Sequence, residues 1–282
     1  MTGSVQLNDG VTFPLIGLGV MQIADDQTPR AVREAVEIGY RSFDTAPIYG
    51  NEPGTGPGIR ECGLPREQVK VTTKLWNSDQ ASDDALRACD ESLKRMGLDY
   101  IDVFLIHWPA PALDKYVEAW KALVRLQTEG KVRTIGVSNF LEEHLERVVD
   151  ATGVVPAMNQ VECHPSWQRR DLRRTHERLG IATVAWSPLG RGGTLADPRV
   201  KEIAERLGIS PARLVLAWLM RQDVLVIPKA SSAAHMEDNF AAVGLGIPAE
   251  AMAALDAMDL ADGSMGIDPL TFNMTSTPLA GQ

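Results

Sequence analysis

Eight short, nearly continuous apolar runs alternate with longer amphipathic ones along almost the whole chain, and this alternation limits the possible folds more than any other feature. The runs are Leu15–Val20, Arg41–Thr45, Val69–Leu75, Ile101–Trp108, Arg133–Ser138, Ala157–Cys163, Ala182–Trp186 and Leu225–Lys229. Unbroken apolarity predicts strands buried on both faces, the condition of a parallel sheet covered by helices. Between the runs, helices are predicted over Pro29–Gly39 (Thr28 as N-cap, Pro29 in the first turn), Ser82–Met96, Lys115–Glu129, Leu141–Asp150, Gln168–Leu179, Pro211–Gln222 and Ala233–Val243. Eight strands alternating with seven helices in about 240 residues predict an α/β fold, a single-domain (β/α)8 TIM barrel, rather than an open doubly wound sheet.

Two pieces lie outside that count. Residues 1–14 read as a hairpin, with Val5–Leu7 and Val11–Phe13 joined through Asn8-Asp9-Gly10. Residues 260–282 read as a loop-like tail over the strand ends, punctuated by Gly263, Gly266, Pro269 and Pro278. Phe272 and Met274 are large apolar groups within it. No repeat, low-complexity tract or linker divides the chain, so 1–282 is expected to be one domain.

Charge narrows the partners. Lys and Arg number 28 against 37 Asp and Glu, a net charge of −9, which argues against a polyanion such as nucleic acid. Cys62, Cys89 and Cys163 show no C-x-x-C spacing, so neither a disulfide framework nor a zinc ribbon is expected and a reducing, cytoplasmic setting fits. The first basic residue is Arg30, and the early uncharged stretch 10–24 is broken by Pro14, Gly17 and Gly19. Neither a secretory signal nor a bilayer span of roughly 20 residues is expected.

In a barrel of this kind the site lies where the strands end, and unusual polar residues collect there: Asp44, Lys74, His107, Ser138 with Asn139, Asn159 with Gln160, and Lys229. Tyr49 lies in the loop after Asp44. A half-buried Lys74 needs a counter-ion, and Asp44 on the adjacent strand is the natural one. A phenol beside that ammonium is expected to have its pKa pulled below about 10 and to serve as a general acid, with His107 holding a substrate carbonyl. Singly, each residue also fits a structural role: an ion pair, a satisfied histidine, a packed tyrosine. Four of them at the ends of three consecutive strands read as one site for protonating an oxygen while another group attacks the carbon.

That attacking group must come from a cofactor, because G-x-S-x-G and P-loop patterns are absent and Gly17-Leu-Gly19 lacks the third glycine of a dinucleotide fingerprint. Gly54-Thr-Gly-Pro-Gly58 reads as a flexible segment. Phosphate is better placed on Ser187-Pro-Leu-Gly-Arg-Gly-Gly193 with Arg191, or on Lys229-Ala-Ser-Ser232 at the start of the last helix. Trp186 offers a flat face for a ring. Glu162-Cys163-His164 lacks a second ligand cluster, so no metal is expected.

The segments Gly17-Leu-Gly19, Phe43-Asp-Thr-Ala-Pro-Ile-Tyr-Gly-Asn-Glu52, Val71-Thr-Thr-Lys-Leu-Trp-Asn77, Tyr100-Ile-Asp-Val-Phe-Leu-Ile-His-Trp108, Ile135-Gly-Val-Ser-Asn-Phe140, Asn159-Gln160, Trp186-Ser-Pro-Leu-Gly190 and Ile227-Pro-Lys229 resemble the aldo-keto reductase superfamily over essentially the whole chain. Within it they are most similar to bacterial 2,5-diketo-gluconate reductase-type enzymes. The resemblance implies reduction of aldehydes and ketones by NADPH, a monomer, and a catalytic tetrad at Asp44, Tyr49, Lys74 and His107 with Tyr49 as proton donor. It also implies cofactor contacts. Gly19, Asp44, Ser138, Asn139, Gln160 and Trp186 would meet the nicotinamide, Ser187, Pro188, Leu189 and Gly190 the pyrophosphate, and Lys229, Ala230, Ser231, Ser232, His235, Asp238 and Asn239 the adenosine end. Val20, Met21, Tyr49, Trp76, His107, Trp108 and the tail would line the substrate pocket.

Some positions depart from the family. His235 stands where many relatives carry an arginine, and Ala230 where a serine is common, which implies weaker discrimination against NADH. Gly54, Gly56, Pro57 and Gly58 stand where relatives begin a regular helix, which implies a mobile loop beside Tyr49. Met21 replaces an aromatic residue. The competing functions are a non-catalytic cofactor-binding sensor or accessory subunit, and a lyase using Lys74 as a Schiff-base amine.

Overall fold

In a computed structural model, which describes residues 3–276, eight parallel strands run in sequence order around a barrel. An antiparallel hairpin precedes them, β1 (Ser4–Gln6) and β2 (Thr12–Pro14), with Val5 opposite Phe13 and Gly10 left-handed at the turn. The barrel strands are β3 (Leu18–Gly19), β4 (Ser42–Asp44), β5 (Lys70–Leu75), β6 (Ile101–Ile106), β7 (Val132–Ser138), β8 (Met158–Glu162), β9 (Ala182–Trp186) and β10 (Leu225–Val226). Parallel bridges Ile16–Val226 and Gly19–Lys229 join the last strand to the first. Pro228 cannot donate to a ladder, so β10 stops earlier than its apolar run and Lys229 lies beyond it, level with Gly19.

Two apolar layers account for the unbroken runs. Val103, Leu105, Met158, Val184 and Leu225 fill the barrel interior, with hairpin residues Leu7 and Phe13 plugging its lower end. Phe104, Ile106, Ile135, Val137, Val161 and Ala185 face outward into the helices. The helices are α1 (Thr28–Ile38), α2 (Glu52–Arg60), α3 (Ser82–Met96), α4 (Tyr116–Thr128), α5 (Glu142–Thr152), α6 (Arg170–Leu179), α7 (Gly193–Ala196), α8 (Pro198–Leu207), α9 (Pro211–Met220), α10 (Ala233–Phe240) and α11 (Ala249–Asp256). Among the described residues no helix is long and apolar enough to cross a membrane.

Two expectations are corrected. Thr28 does not cap α1. It lies inside the first turn and its hydroxyl donates back to the Ala24 carbonyl at 2.9 Å. More consequentially, 54–58 is not a flexible segment but the body of α2. Its glycines are contact points. A Cβ on Gly54 would overlap the Asp25 carbonyl, one on Gly56 the Met96 carbonyl, and one on Gly58 would come within 2.8 Å of the Val32 Cβ. Here glycine serves close approach between α1, α2 and the end of α3, not freedom of the chain.

From Leu260 onward the chain is loop and is stitched to the upper rim of the barrel. Leu260 N donates to Ser166 O, and Ser264 Oγ and Met265 N to the buried Glu162 carboxylate at 3.2 and 2.7 Å. Asn77 Nδ2 and Trp76 Nε1 donate to the carbonyls of Met274 and Thr275 at 2.8 and 3.2 Å. Residues 277–282 of the tail, Pro278 among them, and residues 1–2 before the hairpin lie outside the described residues.

Candidate active site

Asp44 ends β4, level with Gly19 and Thr72 on the neighbouring strands, and Lys74 sits two residues further along β5. Both side chains are buried at the top of the barrel. Asp44 uses its two oxygens differently: Oδ1 accepts from Lys74 Nζ at 2.6 Å and Oδ2 from Gln160 Nε2 at 2.7 Å. Lys74 Nζ also donates to the Thr45 carbonyl at 2.9 Å and to Tyr49 Oη at 3.4 Å. An ammonium has three protons, and all three are engaged. The tyrosine oxygen is therefore an acceptor towards Lys74, which leaves its own proton directed elsewhere.

Burial works against the Lys74 charge, but the Asp44 carboxylate and the Tyr49 hydroxyl outweigh it and hold the ammonium above its ordinary pKa. Tyr49 departs from expectation in the opposite sense. Burial pushes the phenol up, Lys74 pulls it down by less, and Asp44 adds to the rise, so its pKa lies above the ordinary tyrosine value rather than below it. The phenolate loses more hydration in this cleft than one ammonium restores. His107, one residue past β6, is held well below its ordinary value by burial and then by Lys74, so it is a neutral imidazole. Its Nδ1 is buried without a protein partner, and its ring stands edge-on to Tyr49 and Trp76 at centroid distances of 6.0 and 5.1 Å.

These groups wall a cavity of about 310 Å³. Opposite the tetrad, Trp186 Nε1 donates to Asn139 Oδ1 at 2.8 Å, and Asn139 Nδ2 donates to the His107 carbonyl and Ser138 Oγ at 3.0 Å each. The indole is thus fixed as a flat wall. Ser187 and Arg191 follow in left-handed backbone, as do Gly190 and Gly192, a run of the kind that turns successive amides towards an anion. Arg191 and Lys229 reach the cavity, and neither is paired with a carboxylate among the described residues. In a chain of net charge −9, two unpaired cations beside a flat indole and an amide-rich loop fit a dinucleotide's phosphates and ring.

Of the sequence-predicted residues, Gly19, Asp44, Tyr49, Trp76, His107, Trp108, Ser138, Asn139, Gln160, Trp186, Ser187, Met21 and Lys229 share the cavity. Pro188, Leu189, Gly190, Ala230, Ser231 and Ser232 lie outside it, along the two loops that leave β9 and β10, and His235 and Asn239 lie outside it on α10. One residue is placed elsewhere: Val20 is fully buried in the core rather than lining the pocket. Asp238, on α10, accepts from Ser210 Oγ and from Arg213 Nη2, the latter at 2.8 Å. Ile48 and Ile227 also line the cavity and were not singled out as site residues, and Ile267 lines it from the tail. Phe272 and Met274 join them, and their apolarity in a polar tail was the signal. The Phe272 ring lies 4.4 Å from that of Trp108.

Residues 15–260 match the Aldo/keto reductase family. The chain belongs to that family. An aldo-keto reductase of Mycobacterium sp. (strain KMS) is 47% identical over 272 residues, covering 96% of this chain and 98% of the relative. Methylglyoxal reductase DkgA of Escherichia coli O157:H7 is 43% identical over 238 residues, 84% and 86% of the two chains. A crystal structure of a Gox0644 variant in complex with NADPH superposes with a TM-score of 0.93 at 45% identity, covering 97% of this chain and all of the other. The aldo/keto reductase assignment thus spans the barrel that carries the tetrad.

Proposed function

We propose that the protein reduces small aldehydes and ketones to alcohols with NADPH, Tyr49 acting as proton donor. The observation that carries this reading is the exhaustion of the Lys74 protons on Asp44, Thr45 and Tyr49. A lysine so engaged and held charged has no lone pair for a Schiff base, but it stabilises a phenolate once the phenol has given up its proton. The Tyr49 proton is left free for the cavity, where the neutral His107 ring offers one N–H to a carbonyl oxygen.

When bound, NADPH supplies a hydride for the carbonyl carbon. Ser138, Asn139 and Gln160 would hold its carboxamide and Trp186 would lie against its ring. Ser187 to Gly190, with Arg191, would follow the pyrophosphate, and Lys229 to Ser232, His235, Asp238 and Asn239 the adenosine end. The exposed His235 lacks the permanent, bidentate charge of an arginine, so discrimination against NADH is weaker than in arginine-bearing relatives. Trp76, Trp108, Met21, Phe272 and Met274 give the substrate side an apolar, aromatic surface suited to small uncharged aldehydes, methylglyoxal among them.

The test is loss of NADPH absorbance with a carbonyl panel that includes methylglyoxal, for the parent and for Tyr49→Phe. A fall of about 10²–10⁴-fold in the variant with NADPH binding retained supports the reading. A parent that binds NADPH tightly and turns over nothing across the panel overturns it in favour of a binding module.

A further inference from the structure

Tyr49 sits on a one-turn helix, Pro47–Tyr49, between β4 and α2. The chain on the C-terminal side of it has little intrinsic stiffness. Gly50 follows in left-handed backbone, and α2 holds three glycines and two prolines among its nine residues, a composition with poor helix propensity. Something other than local stiffness must fix the phenol against Lys74. Two fully buried side chains, two and three residues after Tyr49, are bonded to the strands that carry its partners. Asn51 Oδ1 accepts from Thr45 Oγ1 at 2.7 Å, while its Nδ2 donates to the Val20 and Ile23 carbonyls at 2.8 and 3.1 Å. Glu52 Oε1 accepts from Thr73 Oγ1 at 2.7 Å, and its Oε2 accepts from Arg95 Nε at 2.6 Å.

Thr45 directly follows Asp44 and also gives its carbonyl to Lys74. Thr73 directly precedes Lys74, and alternation along β5 turns it to the opposite, outer face of the barrel wall. The Tyr49 segment is thereby tied to the Asp44 strand through one hydroxyl and to the Lys74 strand through another, the second from outside the barrel. A carboxylate such as Glu52, 1% exposed, is costly to bury unless it is paired and hydrogen-bonded, and both of its oxygens are.

We propose that Asn51 and Glu52 are positioning residues that hold the Tyr49 hydroxyl in register with Asp44 and Lys74, using Thr45 and Thr73 as anchors. This rests on the reading of Tyr49 as proton donor. The role is separate from cofactor and substrate binding, because neither side chain lines the cavity.

Thr73→Val tests it, since it removes the anchoring hydroxyl at nearly constant volume. With NADPH and 4-nitrobenzaldehyde, kcat is expected to fall on the order of ten- to a hundredfold, as misplacement of a reacting group does, while KM and the NADPH Kd stay within about twofold of the parent's. The alkaline limb of the kcat–pH profile is expected to move upward, because a phenol drawn away from Lys74 loses the attraction that lowers its pKa. Thr73→Ser, which keeps the hydroxyl, is expected to restore both kcat and the limb. A folded Thr73→Val with parental kcat and profile overturns the proposal, as does a Thr73→Ser as slow as the valine variant. If Thr73→Val does not fold, Glu52→Gln decides on the same readouts. Tyr49→Phe assayed alongside separates the two readings: a fast phenylalanine variant removes the proton-donor role itself, whereas a slow one beside a normal Thr73→Val removes only the positioning role.

Discussion

Asp44 holds Lys74 at 2.6 Å with one oxygen and Gln160 at 2.7 Å with the other, so a single carboxylate joins the proton-donating side of the site to the side expected to receive the nicotinamide. Asp44→Asn leaves the Lys74 ammonium buried without a counter-charge. Breaking one partner of a buried pair costs about 3–5 kcal/mol, and we expect a loss of that order in chemical denaturation together with a large fall in kcat. The double variant Asp44→Asn with Lys74→Met should recover much of the stability and none of the rate. Recovery of the rate would show that the pair is structural only.

The directions of the two pKa shifts set the pH profile of reduction. Tyr49 lies above its ordinary value and remains a protonated phenol well past neutrality, and His107 lies well below its ordinary value and remains a neutral donor into acid. The kcat for reduction is therefore expected to be flat from mildly acidic pH through neutrality, with limbs on either side. A limb centred near the ordinary histidine value of about 6.5 would show that His107 gains a proton in the working enzyme.

His176 contributes a pH-dependent term to stability. Asn159 Nδ2 approaches its Nε2 at 2.9 Å while the other amide proton serves the Phe140 carbonyl, which assigns the ring proton to Nδ1, facing Thr183 Oγ1 at 2.8 Å. A second ring proton would point at an amide N–H. Burial, with Arg169 and Arg173 adding to it, lowers the pKa to about 3. Between there and the unfolded value of about 6.5 the unfolded chain binds the extra proton, so the contribution is complete above about 6.5 and is lost as pH falls towards about 3. Thermal unfolding from neutral pH to about pH 4 should show the decline, at most about 1.4 kcal/mol per pH unit from this group. His176→Gln should flatten it, and an unchanged slope would assign the decline to other groups.

Gly56→Ala is expected to destabilise by about 1–3 kcal/mol or more, because the added methyl meets the Met96 carbonyl and α2 must shift off α3. Since α2 begins three residues after Tyr49, kcat should fall with it. Gly63 is left-handed, but a Cβ added there would meet nothing within 4 Å. Its alanine variant should cost only the roughly 1–2 kcal/mol of a left-handed Cβ and leave kcat alone. Equal effects at the two positions would refute the packing role of Gly56.

His235→Arg is expected to raise the NADPH-over-NADH preference in kcat/KM. His235 is the third residue of α10, exposed, and its amide approaches the Ser232 cap at 3.4 Å, so an arginine there has room to make charge-assisted bonds to a phosphate. A ratio no greater than the parent's removes His235 from the cofactor's adenosine end.

The barrel class and the gathering of Asp44, Tyr49, Lys74 and His107 at one end of it were legible in the chain itself. Parallel strands buried on both faces show as unbroken apolar runs, and polar residues at the ends of such runs stand out against them. Asp44, Lys74 and His107 were visible for that reason, and Tyr49 through its distance from Asp44. What sequence could not express was contact. Gly54, Gly56 and Gly58 read as freedom because a glycine's local signal is the same whether it bends a loop or admits a neighbouring helix, and only the Asp25 and Met96 carbonyls decide between the two. The balance of burial against one ammonium at Tyr49 depends on how much water the fold removes, a sum over many neighbours that no spacing encodes. The same holds for Phe272 and Met274. Their apolarity marked them as unusual, but that they meet Trp108 and the cavity was settled by a tail pinned, far away in sequence, on Glu162.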